Sequence, residues 1–272
     1  VDDTGSGRQR SVDEHFAVRA AEWKDIYGAA DDVNAVVHQE RLTAALAWVD
    51  RLALPTGSKV LDAGCGAGVA VVALAERGFQ VDAVDTVPAM VEETARAAER
   101  AGMSERVAAR TGDAHALDFP NGHFDLVMAL GVFPFLHSPE LAAREMARVL
   151  KPGGWLIANA DNRRRMIRLL DPMQMRSLAP VRRALGSREG VPARMHTMRA
   201  FDEVLEGAGL RKVAARSVGY GPFTFMRRPM LRDERGRRLH AWLQQRADRG
   251  NALVRSMGAQ YLVLARLQDA PA

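Results

Sequence analysis

The chain has 272 residues, with 38 Lys plus Arg against 33 Asp plus Glu (formal charge +5), and is 47% hydrophobic and 26% charged. That composition suits a water-soluble fold of about one large domain and excludes disordered and fibrous classes. A single cysteine, Cys65, excludes an intramolecular disulfide. No Cys/His cluster has metal-ligand spacing, and no apolar run approaches the ~18 residues of a membrane span, so a cytoplasmic protein is expected.

Residues 1–12 are polar and contain Gly5 and Gly7, so they are expected to fray. From His15 to Leu54 the apolar spacing is helical. Phe16, Ala20, Trp23 and Tyr27 mark a first amphipathic helix, and Leu42, Ala45, Leu46 and Val49 a second, with a break near Gly28–Asp32. Pro55, Gly57 and Ser58 close that segment. An alternation follows. Val60-Leu61 reads as a strand, Val69–Glu76 as a helix, Val81–Val84 as a strand, and Pro88–Ala101 as a helix that Gly102 ends. Val107–Ala109 and Phe124–Ala129 are further strands, Leu141–Leu150 is a helix, and Lys151-Pro152-Gly153-Gly154 turns into a fifth strand, Trp155–Ala158. Strands and helices of these lengths in alternation predict a parallel sheet covered on both faces.

Residues 161–200 interrupt the rhythm with Arg163-Arg164-Arg165, three prolines and five methionines including Met166, and are read as an inserted helical lid. Phe201–Glu206 is a predicted helix, Leu210–Val218 a strand, Arg232–Arg249 a charged helix and Tyr261–Arg266 a last strand, the final pair forming an antiparallel hairpin at one sheet edge. Charge divides unevenly: residues 1–160 hold 15 basic and 23 acidic side chains, residues 161–272 hold 23 basic and 10 acidic. The basic half could attract an anionic partner or simply present solvated faces.

The sharpest local feature is Val60-Leu61-Asp62-Ala63-Gly64-Cys65-Gly66-Ala67-Gly68 between a strand and a helix. Three alternate glycines permit a tight bend and close approach of a ligand to backbone amides, which is the logic of a nucleotide cradle. A dinucleotide fingerprint requires G-x-G-x-x-G, and neither register completes it, since Val69 and Val71 fall at the third position. Within the loop Cys65 needs only to be small and apolar, and is read as packing rather than as a nucleophile.

This loop, together with Asp85, Gly112-Asp113-Ala114, Phe124-Asp125-Leu126-Val127 and Leu150-Lys151-Pro152-Gly153-Gly154, resembles the class I S-adenosylmethionine-dependent methyltransferases over about residues 58–160. The resemblance implies a Rossmann-like α/β fold, with a mostly parallel seven-stranded sheet, helices on both faces and an N-terminal helical cap. One domain is expected, comprising a cap (1–54), a cofactor-binding core (55–160), the lid (161–200) and a sheet edge (201–272). It implies S-adenosyl-L-methionine as cofactor and S-adenosyl-L-homocysteine as product. Carried over by position, Gly64, Cys65, Gly66 and Gly68 hold its amino-acid end with Asp62 near the ammonium. Asp85 would accept the ribose hydroxyls, Thr86 and Met90 flank the adenosine, Asp113 and Ala114 meet the adenine, and Leu130 and Gly131 face the sulfonium.

Methyl transfer requires alignment and exclusion of water, and a base only when the acceptor must lose a proton. His15, on the N-terminal helix, and His137, after the fourth strand, are the candidates for that base. Trp23, Tyr27, Phe133, Phe135, Met166, Tyr220 and Phe223 are the candidates for an acceptor wall, with core packing as the alternative for Trp23 and Tyr27. The expected partner is a bulky, partly apolar small molecule, natural-product or quinone-like, methylated on oxygen in the first instance; a homodimer is left open. Competing readings are N- or C-methylation, an RNA methyltransferase, against which no stacking aromatics interleave the basic residues, and a noncatalytic cofactor-binding domain.

Overall fold

Val60, Leu61, Leu126, Val127, Leu156 and Ile157 are all fully buried, and runs of this kind form strands covered on both faces. The computed structural model describes residues 5–23, 33–171, 193–226, 228–231 and 233–268. The strands β1 (Lys59–Ala63), β2 (Gln80–Asp85), β3 (Val107–Thr111), β4 (Phe124–Ala129), β5 (Leu150–Asn162), β7 (Leu210–Val218) and β10 (Gln260–Leu267) form the main path of one sheet. Their order is β3-β2-β1-β4-β5-β10-β7, and the two-residue β6 (Met195–His196) pairs alongside β5. All pairs from β3 to β5 are parallel, whereas β10 runs antiparallel to both β5 and β7. A mostly parallel seven-stranded sheet with flanking helices is therefore what the chain forms, with β6 as a short addition.

Alternation of side chains along each strand sends successive residues to opposite faces. Leu61, Val127 and Leu156 pack on one face with Phe133, Met146 and Phe201. Val60, Leu126 and Ile157 pack on the other with Trp48, Val71 and Leu74. The helices supply these partners: α1 (Gly5–Trp23), α2 (Val33–Leu52), α3 (Val69–Glu76), α4 (Pro88–Arg100), α5 (Pro139–Val149), α6 (Ile167–Leu170), α7 (Met198–Glu206), α8 (Asp233–Asp248) and α9 (Ala252–Ser256). Their starts follow capping chemistry. Pro88 and Pro139 stand in the first turns of α4 and α5, and the Ser138 and Thr197 hydroxyls accept amides of Leu141 and Ala200.

Two expectations are corrected. Residues 5–12 are helical rather than frayed, because Val12 is only 5% exposed and anchors the first turns of α1. Lys151–Gly154 lies within β5 rather than before it, with a register shift opposite Phe124–Leu126 absorbing the glycines. The final pair of strands, β7 and β10, does lie antiparallel at one edge of the sheet, with α8 and α9 rather than a short turn between them in sequence. A small hairpin, β8 (Thr224–Phe225) with β9 (Arg228–Pro229), was not anticipated. Of the expected lid, residues 172–192 lie outside the described residues, and its described ends form α6 and β6.

Candidate active site

The carboxyl ends of β1, β2 and β4 converge on one cavity of about 360 Å³. At the end of β1 the amides of Gly64 and Cys65 both donate to the Val84 carbonyl, at 2.7 and 3.0 Å, which folds the loop back against β2. Gly64 has φ +81°, and a Cβ there would meet Val132 Cγ2 at 2.4 Å, so bulk is excluded by the protein itself. Gly66 differs. With φ +52° and nothing within 4 Å of a Cβ, its open side is the cavity. Gly68 does not line the cavity and packs against Thr94 of α4.

Asp85 shapes this loop from the tip of β2. Its two carboxylate oxygens accept the Gly66 and Val87 amides, each at 3.0 Å, leaving lone pairs toward the cavity. Burial raises its pKa against the pull of those amides. Asp62 is 2% exposed and lines the cavity, and no hydrogen bond reaches its carboxylate from a described residue. Burial, with the nearby Asp85 charge, pushes it up to about 7 against the attraction of Arg41. Burial also raises the Cys65 thiol, whose sulfur accepts a 3.4 Å contact from Thr94, which leaves it inert at neutral pH.

Across the cavity Asp113 accepts both the His115 amide (2.9 Å) and its Nδ1–H (2.6 Å), and the side-chain bond holds its carboxyl below the usual range. His115 Nε2 accepts the Ser138 amide at 3.3 Å, which fixes that tautomer. The roof comes from α1. Gln9 and Thr86 both donate to Asp13, at 2.8 and 2.7 Å, tying the helix to the end of β2, and Phe16 meets Phe135 edge-on at 4.9 Å.

Eleven of the twelve residues assigned to the cofactor line this one cavity: Asp62, Gly64, Cys65, Gly66, Asp85, Thr86, Met90, Asp113, Ala114, Leu130 and Gly131. The base and wall assignments are placed differently. His137 stacks on His115 at 3.6 Å and His15 lies edge-on to Phe16 at 5.3 Å, but neither lines the cavity. Phe135 lines it, whereas Phe133 is fully buried against Phe201 at 5.0 Å. Met166, Tyr220 and Phe223 belong to a separate small core, where the Tyr220 hydroxyl donates to the Val254 carbonyl at 3.0 Å. Tyr27 and the side chain of Trp23 lie outside the described residues.

Four polar residues that the sequence reading did not select line the other end: His38 and Arg41 of α2, Asp161 of β5 and Gln260 of β10. Arg41 is 3% exposed and its Nη1 donates to Gln260 Oε1 at 3.4 Å. A signal existed. His38 and Arg41 stand four residues before Leu42 and Ala45, so they continue an apolar helical face with polar groups, a pattern that asks for a buried polar partner. Asn159, fully buried in β5, accepts the Gly131 amide at 2.7 Å and so positions the turn leaving β4.

Residues 61–158 match a family model described as a methyltransferase domain. The chain is 35% identical over 164 residues to the 2-methyl-6-phytyl-1,4-hydroquinone methyltransferase of a Synechocystis species, covering 60% of this chain and 49% of that one. It is 31% identical over 160 residues to a ubiquinone biosynthesis O-methyltransferase of Xanthomonas campestris, covering 59% and 64%. The chain thus spans about half of the first relative and under two thirds of the second. Its fold is similar to that of the magnesium protoporphyrin IX methyltransferase of Synechocystis, solved with bound S-adenosylhomocysteine. The TM-score is 0.66 at 19% identity, covering 96% of this chain and 100% of that one.

Proposed function

We propose, from the premise that residues 61–158 are a class I S-adenosylmethionine-dependent methyltransferase domain, that the chain methylates an oxygen of a partly apolar small molecule, quinone-like or of natural-product type. The observation that carries the reading is the cavity itself, in which an unpartnered buried carboxylate, an open glycine and a second carboxylate with free lone pairs surround one space. These residues fit the cofactor, because an ammonium answers the unmet demand of Asp62 and a backbone lying against Gly66 fills a volume that a side chain would close.

The bound donor supplies an activated methyl group on a sulfonium. The chain's own residues do the rest. Asp62 fixes the ammonium, Asp85 accepts ribose hydroxyls while holding the loop, and Asp113, with one oxygen committed to His115, offers the other to the adenine amino group. Phe16 and Phe135 close the roof and exclude water from the transfer. The two relatives, a hydroquinone methyltransferase and an O-methyltransferase of ubiquinone biosynthesis, support a phenolic, partly apolar acceptor. Several arginines of the basic half are held in ion pairs, Arg216 with Asp248 at 2.7 Å and Arg199 with Glu203 at 2.8 Å, which favours a small-molecule acceptor over RNA.

The test is calorimetric titration with S-adenosylhomocysteine, followed by labelled-methyl transfer to a panel of phenols and hydroquinones. Binding with transfer to a phenolic oxygen is expected. Tight donor binding without transfer to any acceptor would leave a noncatalytic cofactor-binding domain, and transfer to nitrogen or carbon alone would overturn the choice of oxygen.

A further inference from the structure

Among the described residues no arginine of the basic half lines the cavity. Part of that charge gathers on α8 instead. Between Phe225 and Arg255 the chain carries nine arginines and three acidic residues. Spacings of three and four put Arg235, Arg238, Trp242, Gln245, Arg246 and, one residue past the helix, Arg249 on one solvent-facing stripe, while His240, Gln244 and Ala247 face the core. At roughly 1.5 Å per residue the stripe runs about 21 Å. Glu234 pairs with Arg238, and Asp248 turns away to Arg216. Arg235 and Arg249 make no ion pair with any described residue. Trp242 stands mid-stripe, 49% exposed, with the Arg246 guanidinium 4.5 Å from its ring centre. Arg246, Arg249 and Asn251 join it around a shallow hollow, and Leu253, just beyond in α9, is 66% exposed. Met230, before the other end of the helix, is 58% exposed.

We propose that this face of α8 and α9 docks on an anionic bilayer surface, its arginines meeting lipid phosphates while Trp242 and Leu253 sink to the level of the headgroups. Charge alone or apolar exposure alone would not select a bilayer. Together on one face they do, because a guanidinium takes two phosphate oxygens at once and an indole prefers the boundary between headgroups and hydrocarbon. RNA fits this face less well. Arg246 already occupies one side of the Trp242 ring, and Leu253 and Met230 offer hydrocarbon, on which bases do not stack. A second copy of the chain docked on the same face would set arginine against arginine. Among the described residues no helix is long and apolar enough to cross a membrane, so the contact proposed is peripheral. The proposal goes beyond the methyl-transfer reading and does not need it. Joined to that reading, docking would hold the cavity where partly apolar acceptors concentrate.

The experiment sediments the full chain with vesicles of equal parts phosphatidylglycerol and phosphatidylcholine, and with vesicles of phosphatidylcholine alone. Binding to the first, weakened by added salt, and none to the second are expected. Loss of one arginine at an anionic surface costs on the order of fivefold in affinity, so Arg235→Gln combined with Arg249→Gln should weaken vesicle binding about 25-fold. Arg51→Gln combined with Arg144→Gln removes the same charge from exposed positions on α2 and α5 and should leave binding within about threefold. Brominated phosphatidylglycerol should quench the fluorescence of wild type more than that of Trp242→Phe. All substituted residues face solvent, so wild-type melting temperatures serve as the folding control. Inorganic phosphate should displace the chain from vesicles no better than chloride at the same ionic strength; specific displacement would make this a small-anion site and overturn the bilayer. Failure to sediment with the anionic vesicles, equal losses in the two double variants, or tighter binding to a single-stranded RNA than to the vesicles would overturn it as well.

Discussion

Asp62→Asn separates what the site costs the fold from what it contributes to binding. A carboxyl moved from 3.8 to about 7 by burial and by Asp85 carries, at about 1.4 kcal/mol per pKa unit, on the order of 4 kcal/mol against the folded state once it ionises. The sign follows from proton binding. Between about pH 4 and pH 7 the folded chain holds this proton more tightly than the unfolded chain, so stability falls as pH rises, and the full cost is present above about 7. Asparagine keeps the shape and removes the titration. In donor-free protein the variant should differ from wild type by only about 1 kcal/mol near pH 4.5 and exceed its melting temperature by about 8–16 °C at pH 8.5, taking ~2–4 °C per kcal/mol for a chain of this size. Binding should move the other way. Loss of the charged partner for an ammonium, worth about 1.5–3 kcal/mol, weakens S-adenosylhomocysteine by roughly 10- to 100-fold at pH 8. Wild-type affinity should rise as pH increases through about 7, as the carboxyl ionises. Differential scanning fluorimetry and calorimetry at four pH values read both effects. A melting difference that does not change with pH would refute the assignment of a buried, unpartnered, titrating Asp62.

Gly66→Ala places a methyl group in open cavity space at φ +52°, so it should cost only about 1 kcal/mol in stability yet remove detectable S-adenosylhomocysteine binding; normal calorimetric binding would mean that the cradle is misplaced. Phe201→Ala, emptying a fully buried position between Phe133 and Tyr261, should cost about 3–5 kcal/mol in urea unfolding, and a loss under 1 kcal/mol would contradict the packing described. Burial pulls His240 down, but the ion pair with Glu40, 2.9 Å away, outweighs it and raises its pKa. That pairing stabilises the fold fully below about pH 6.5 and fades as pH rises through the raised value. Glu40→Gln should therefore cost about 1–3 kcal/mol at pH 5.5 and distinctly less at pH 8.5, and an equal cost at both would exclude a protonated His240.

The parallel half of the fold was legible because its signals are local. The bounds of α3 and of β4 are legible without error, since an apolar run defines each and Gly78 follows the end of the first. The cofactor half of the site was legible for the same reason, its residues standing at strand ends that turn chemistry exposes. What escaped was set by distant partners. Which of Phe133 and Phe135 faces the cavity depends on how the turn after β4 meets α7, and strict alternation puts both on one side. Tyr220 and Phe223 carry the composition of a binding wall, but α8 covers them and makes them core. Arg41 and His38 read as ordinary helix polarity until α2 is laid over the ends of β4, β5 and β10.

The position of β10 has a consequence for how the chain must assemble. During synthesis β7 is complete more than forty residues before its sole neighbour in the main path of the sheet emerges. Until then its amides and carbonyls have no mate, and β5 exposes the flank that β10 will occupy. The sheet can close only when a late segment slides between two earlier ones, so the last contacts to form are among the farthest apart in the chain, the kind that slow a folding reaction. Ribosome-stalled chains lacking residues 260–267 should consequently expose the flanks of β5 and β7 to chaperones and proteases, although the entire glycine cradle has already been made.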